Sequence, residues 1–406
     1  MSEGKSPHSP YRWVILGIFM LVVSVNQLMW ITFAPITGIS ASFYHVSDLS
    51  IGLLSMVFMV VYILVSIPAS AIIDVYGIRV AVGIGAVLTG VFGLMRGVVG
   101  SNFTWVIIAQ VGIAIGQPFL LNAMTTVAAR WFPIQERATA AGLGSLAMYF
   151  GIILGMALTP FLVLITGMSH MLVIYGIVSG ISALIFLSLI KERPLTPTGL
   201  EERSLVIEGM KSMLRRKNYI LLLVIFFFGL GIFNAVATWI EEILSPRGFT
   251  STQAGVAGGL MILGGLAGAA IISWLSDRYR RRVPFILLAL AAACIGLLGI
   301  TFSTNYILLL ISAFILGFFL LSAGPIGFQY GAEIAFPAPE GTSNGLLLLM
   351  GQVSGIAFIF GMDFFKNPTT GSMTNSLLIL TGLLFLSLIL ATRLKESSIL
   401  HNEKPQ

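Results

Sequence analysis

The chain has 406 residues, 57% of them hydrophobic and only 9% charged, with a mean hydropathy of +0.98 and a formal net charge of +6. A soluble protein carries about 25% charged residues, so this chain cannot cover itself with polar surface, and lipid is its expected solvent. That excludes a soluble enzyme; the basic excess, spread over the connections between apolar segments, points to membrane topology and not to nucleic acid.

Twelve apolar segments of roughly 20 residues, each about 30 Å long as a helix, are predicted. They lie at approximately 12–35, 51–73, 79–99, 104–128, 138–163 and 169–190, then 219–244, 252–276, 283–302, 306–332, 342–365 and 373–392. The first exceeds a signal-peptide core and no small-residue cleavage site follows it, so it is expected to stay. The long polar stretch 191–218, KERPLTPTGLEERSLVIEGMKSMLRRKN, is expected to be a cytoplasmic linker between six-helix lobes at 1–190 and 219–406. Its Pro- and charge-rich start predicts irregular chain; Leu205, Val206, Met210 and Met213 are expected to line one face of a short amphipathic helix. Of the 22 Lys and Arg, all but Arg96, Arg247 and Lys366 fall on one side of this topology. The positive-inside rule then places both termini in the cytoplasm of a multi-pass plasma-membrane protein.

The halves echo each other. SAIIDVYGIR, Ser70–Arg79, recurs as SWLSDRYRRR, Ser273–Arg282; each has a Ser four residues before an Asp, with apolar segments on both sides. Asp74 and Asp277 are separated by half the chain length, as are Lys191-Glu192 and Lys395-Glu396. Landmarks that recur at half the length mark a tandem repeat. A carboxylate at such a loop can cap a helix N-terminus across the lobes and pair with the arginines beyond it, forming a releasable latch. A solvated helix end is the bland alternative, and the second copy argues against it. At these residues the chain resembles the major facilitator superfamily, with its Gly-x3-Asp-Arg-x-Gly-Arg-Arg signature. Asp74, Gly77 and Arg79 match in the first copy, and Asp277, Arg278 and Arg282 in the second. Ser70 and Ser273 stand for Gly, and Val75 for the first Arg. The resemblance implies an all-α membrane protein of two pseudo-symmetric six-helix bundles.

Polar side chains at membrane depth come next: Asn26, Gln27 and Trp30 in span one, Gln110 and Gln117 in span four, Tyr149 in span five, Asn234 in span seven and Gln352 in span eleven. Unpaired amides in hydrocarbon cost several kcal/mol, so these face a cavity or one another. Interhelical bonding suffices for Gln110 and Asn122. Trp30, Tyr149, Asn234 and Gln352 are expected to line a cavity between the lobes, with Asn26, Gln27 and Gln117 beside them. No acid or base stands at mid-depth: Arg96 is expected to snorkel, and Glu241 and Glu242 to pair with Arg247. A neutral, aromatic cavity suits a small organic cation or zwitterion, at about 0.5–2 kcal/mol per aromatic contact.

NQLMWITFAPI, DVYGIR and GPIGFQYGAEIAFPAPEGTSNGLLLLMGQVSG are similar to the feline leukaemia virus subgroup C receptor family, described as transporters of choline, ethanolamine or haem. That resemblance places the family's pocket aromatic of span one on Trp30 and its Gln of span eleven on Gln352. The family's span-five Gln falls on Tyr149 and its span-seven Tyr on Asn234, so an aromatic and an amide have changed places. The expectation is a monomeric secondary transporter working by alternating access on a choline-like solute. Drug efflux, porphyrin export and organic-anion transport stay open as alternatives, as does a coupling proton or cation. Four scattered histidines, a lone Cys294 and the lack of a phosphate loop predict no metal, cofactor or nucleotide.

Overall fold

The computed structural model describes residues 11–132, 136–190, 212–336 and 340–396. Most of the predicted linker, at 191–211, lies outside these residues, as does the side chain of Asp74. Every regular element among the described residues is helical, and twelve segments are long and apolar enough to cross a membrane, as hydropathy predicts.

By contacts the chain divides into two compact units. The first draws on residues 1–33, 40–46 and 60–196, the second on 34–39, 47–59 and 197–406. In the first unit run α1 (Tyr11–Ile31), most of α3 (Asp48–Val98), α4 (Phe103–Leu121), α5 (Met124–Trp131), α6 (Arg137–Thr166) and α7 (Met168–Leu189). The short α2 (Thr37–Tyr44) has residues in both. Ile15, Phe19 and Val22 of α1 meet Ile78 and Val82 of α3, Leu120 of α4 and Phe186 of α7 in one buried cluster. Small residues bring α1 against α6: a Cβ on Gly151 would lie 2.1 Å from the Ser24 carbonyl oxygen, and Ser24 Oγ donates to the Ala147 carbonyl at 2.7 Å.

Two interruptions shape this unit. The predicted first span ran unbroken to residue 35, but α1 stops at Ile31, and a turn and the 3₁₀ segment Ala34–Ile36 follow. Pro35 is the cause: it has no N–H for the Ile31 carbonyl, and it turns the residue before it out of the α region. Within α3, Gly77 adopts φ 84° and ψ 174°, a conformation essentially confined to glycine, and kinks the element into two helices.

The second unit holds α8 (Lys217–Thr238), α9 (Ile240–Leu244), α10 (Ser251–Tyr279), α11 (Val283–Phe302), α12 (Tyr306–Ala335), α13 (Glu340–Phe364) and α14 (Thr374–Ala391). Capping reveals the repeat anew. Asn102 accepts from the Thr104 and Trp105 amides at the start of α4, and Asn305 accepts from those of Ile307 and Leu308 at the start of α12. These two caps stand at the same offset as Asp74 and Asp277. The polarity is that of an integral membrane protein: Ile67 and Phe364 are 77% and 81% exposed, whereas Asn26, Gln110 and Arg96 are fully buried.

Candidate functional site

In the first unit, Asn26, Gln27 and Trp30 occupy the last turns of α1. Asn26 Nδ2 donates to Thr89 Oγ1 at 3.0 Å and to the Ile113 carbonyl at 3.3 Å, tying α1 to α3 and α4. Gln27 Nε2 donates to Asn26 Oδ1 at 3.4 Å. Asn26 is thus satisfied inside the unit and holds α1 in register. Trp30 is 7% exposed and stands one residue before the end of the helix. Tyr149 is half-buried on α6, between the Ala147 and Gly151 backbones that face Ser24. Gln117 is buried on α4.

In the second unit, Asn234 of α8 and Gln352 of α13 lie at one level. Asn234 Nδ2 donates to the Gly351 carbonyl at 3.2 Å, and a Cβ on Gly355 would touch the Asn234 amide at 3.1 Å. Both side chains are half-buried. Among the described residues Gln352 makes no hydrogen bond, so its amide is available to another partner. Trp30, Tyr149, Asn234 and Gln352 offer aromatic faces and neutral donors and acceptors. Such groups can bind and orient a solute but supply neither a nucleophile nor a proton carrier near neutral pH.

At the signature loops, Gly77 supplies the break in α3, and Arg79 is exposed just beyond it. In the second copy, Asp277 forms an ion pair with Arg282, whose side chain is only 8% exposed. Arg278 lies instead over the Trp274 ring, 5.3 Å from its centroid. Arg282 Nε also reaches Glu333 at 3.2 Å, and the Arg282 and Val283 amides donate to the Glu396 carboxylate. Glu333 and Glu396 therefore belong to the loop's charge cluster. Their place at span ends hid this, since only the fold brings the start of α11 to the ends of α12 and α14.

Two expectations need correcting. Arg96 does not snorkel. It is wholly buried, with Nη1 donating to Gln110 Oε1 at 2.8 Å and to the Met29 carbonyl at 3.0 Å, and Nη2 to Thr32 Oγ1 at 3.2 Å. Nor do the glutamates pair with Arg247, which donates to the carbonyls of Ile243, Ile300, Thr301 and Ser303 and so caps the end of α11. Glu242 meets Lys366 Nζ at 2.7 Å, Lys366 also pairs with Asp48, and Glu241 accepts from the Gly38 amide at 2.8 Å and from Ser251 Oγ. Burial is the largest influence on the Glu242 carboxyl and outweighs the Lys366 ammonium, pushing it up to about 7. These pairings join residues far apart in sequence, and span-end position alone did not signal them.

Residues 19–359 match the Major Facilitator Superfamily. The chain is 30% identical over 379 residues to the solute carrier family 49 member A3 of Xenopus tropicalis, an alignment spanning 88% of this chain and 78% of that protein. It is 29% identical over 420 residues to the choline/ethanolamine transporter FLVCR1 of Felis catus, spanning 97% and 74%. Among solved structures it is similar to a bacterial homologue of the human lysosomal transporter Spinster, in an inward-facing and unoccupied conformation. The TM-score is 0.77 at 16% identity, covering 98% of this chain and 100% of that one. A D-xylose–proton symporter gives a TM-score of 0.72 at 16% identity, covering 96% and 98%. At such identities these two likenesses concern fold alone.

Proposed function

Because the chain belongs to the major facilitator superfamily, and is therefore a membrane transporter and not an enzyme, we propose that its solute is a small organic molecule with a choline-like cationic or zwitterionic head group. Trp30 and Tyr149 meet the head group through their aromatic faces, and Asn234 and Gln352 orient the rest through their amides. Gln117 and Gln27 are assigned to the same set, while Asn26 fixes the helix that carries Trp30. The two six-helix lobes, 1–190 and 219–406, alternate access through the linker 191–218. The loops of Asp74, Gly77 and Arg79, and of Asp277, Arg278 and Arg282, latch one state of that cycle. The protein works as a monomer in the plasma membrane with both termini cytoplasmic, as its distribution of Lys and Arg favours.

The observation that carries this reading is Gln352 of α13, a half-buried amide that makes no hydrogen bond among the described residues. The name of the Felis catus relative supports the head-group class. The test is uptake into proteoliposomes of a panel of amines, porphyrins and organic acids, with and without a proton gradient, followed by choline binding to variants. Loss of one cation–π contact in Trp30→Ala should weaken choline binding about 3- to 30-fold, and Gln352→Ala should weaken it about 3- to 10-fold. Unchanged affinity in both would remove these residues from the site. Transport of many unrelated hydrophobic compounds, with little loss on either change, would point to efflux.

A further inference from the structure

Arg96 lies outside the side chains assigned to the solute, yet it is a fully enclosed charge in the first unit. Among the described residues it forms no ion pair, and no Asp or Glu occurs anywhere between residues 75 and 135. A buried cation without a counter-charge is costly and is retained for a reason. Its donors show where it is spent. Met29 offers its carbonyl at 3.0 Å and its sulfur at 3.0 Å, and Thr32 its hydroxyl at 3.2 Å. The Phe33 ring lies 5.4 Å from the guanidinium carbon. The remaining partner, Gln110, itself donates to the Met29 carbonyl at 3.5 Å. All of these contacts converge on residues 29–33, immediately around Trp30.

The chemistry there is that of a severed helix. Pro35 stops α1 at Ile31, leaving its last carbonyls without intrahelical donors and the negative end of its dipole uncovered. Arg96 satisfies both needs at once, as Arg247 does for α11. The difference is that the end of α11 carries no residue assigned to the solute. We propose that Arg96, with Gln110, is a positioning residue of the solute site: it pins the break in α1 and so fixes the indole of Trp30, the residue next to the pinned carbonyl. The proposal rests on the assignment of Trp30 made above.

The test uses the full chain in proteoliposomes with choline as the probe. Arg96→Met should raise the KM for choline roughly tenfold while changing the maximal rate per folded protein less. Arg96→Lys, which keeps the charge and a donor for the Met29 carbonyl, should recover most of that loss. The double variant Trp30→Ala/Arg96→Met should be no worse than Trp30→Ala alone, because Arg96 acts through the indole. Additive losses, or a lower maximal rate at unchanged KM, would overturn the proposal. A protein that does not carry choline at all would defeat the reading of the solute but leave the positioning claim open to a geometric test. For this, Trp30→Cys is placed in a Cys294→Ser background and labelled with N-ethylmaleimide. Adding Arg96→Met should change its labelling rate about fivefold or more, while labelling of Tyr149→Cys in the same background stays constant. Equal rates at Trp30→Cys would sink the idea. Should Arg96→Met not fold, Gln110→Leu removes the bridging amide and carries the same expectations with smaller changes.

Discussion

Gly77 occupies φ 84° and ψ 174°, where a Cβ collides with its own backbone. Gly77→Ala is therefore expected to cost about 1–3 kcal/mol, read as a lower thermal midpoint in detergent. Gly142→Ala is the control: its Cβ would meet nothing within 4 Å in the interior of α6, so it should be neutral or gain about 0.5–1 kcal/mol. The neighbouring latch is tested separately by Asp74→Asn, which should slow turnover more than it weakens solute binding; normal turnover would dispose of the latch. At this scale the sequence was legible where residue type alone decides, as with Gly77 in the DVYGIR turn. It was not legible where long-range pairing decides. From sequence Arg96 reads as a snorkelling residue, because its acceptors, Met29 and Gln110, sit on two other helices. The amides divide in the same way: Asn26 is spent on Thr89 and Ile113, which no local pattern announces.

Between elements, the decisive contact of the second unit is the seam of α10 with α12. A Cβ on Gly268 would lie 1.8 Å from the Phe318 carbonyl oxygen, and one on Gly317 would lie 1.7 Å from that of Met261. Backbone meets backbone there, with no flexible side chain to yield, so in lipid the two helices associate by van der Waals contact of their main chains. Gly268→Ala must push the helices apart and is expected to cost about 1–3 kcal/mol or more, whereas Gly361→Ala, with nothing within 4 Å, should leave stability alone. Thermal unfolding of the two purified variants compares them directly; equal midpoints would show that the seam tolerates separation. The Gly-rich sequence of α10 suits helix packing of this kind but does not say which helix answers it. Twelve helices were legible because apolar runs of membrane length have few other uses. The break of α1 was readable in principle from Pro35, but hydropathy runs straight across a proline and masked it.

For the whole molecule, the cluster around Glu242 makes the stability of this conformation depend on pH. Its carboxyl faces Lys366, Asp48 and Glu241, and the same Lys366 and Asp48 act on Asp363. Burial also disfavours the Lys366 ammonium, but its hydrogen bonds to Asp48 and Glu242 prevail and hold its pKa above the usual value. Lys366 thus stays charged throughout the neutral range, and Glu242 is the member that titrates there. With Glu242 raised from 4.5 to about 7, this conformation binds a proton more tightly than any in which the same carboxyl is open to water. The sign follows: the proton's contribution is fully present below about 4.5 and is lost as pH rises through about 7. Acid therefore favours this conformation over states that expose Glu242, and alkali releases it. Transport by the unaltered protein should show an inflection near pH 7, and Glu242→Gln, which mimics the protonated form, should flatten the profile between about pH 5 and 8. Asp48→Asn should keep an inflection but shift it downward, since removing one negative neighbour makes the Glu242 carboxyl easier to ionise. An unmoved inflection in Glu242→Gln would assign the titration to another group and leave Glu242 as a static ion-pair partner of Lys366.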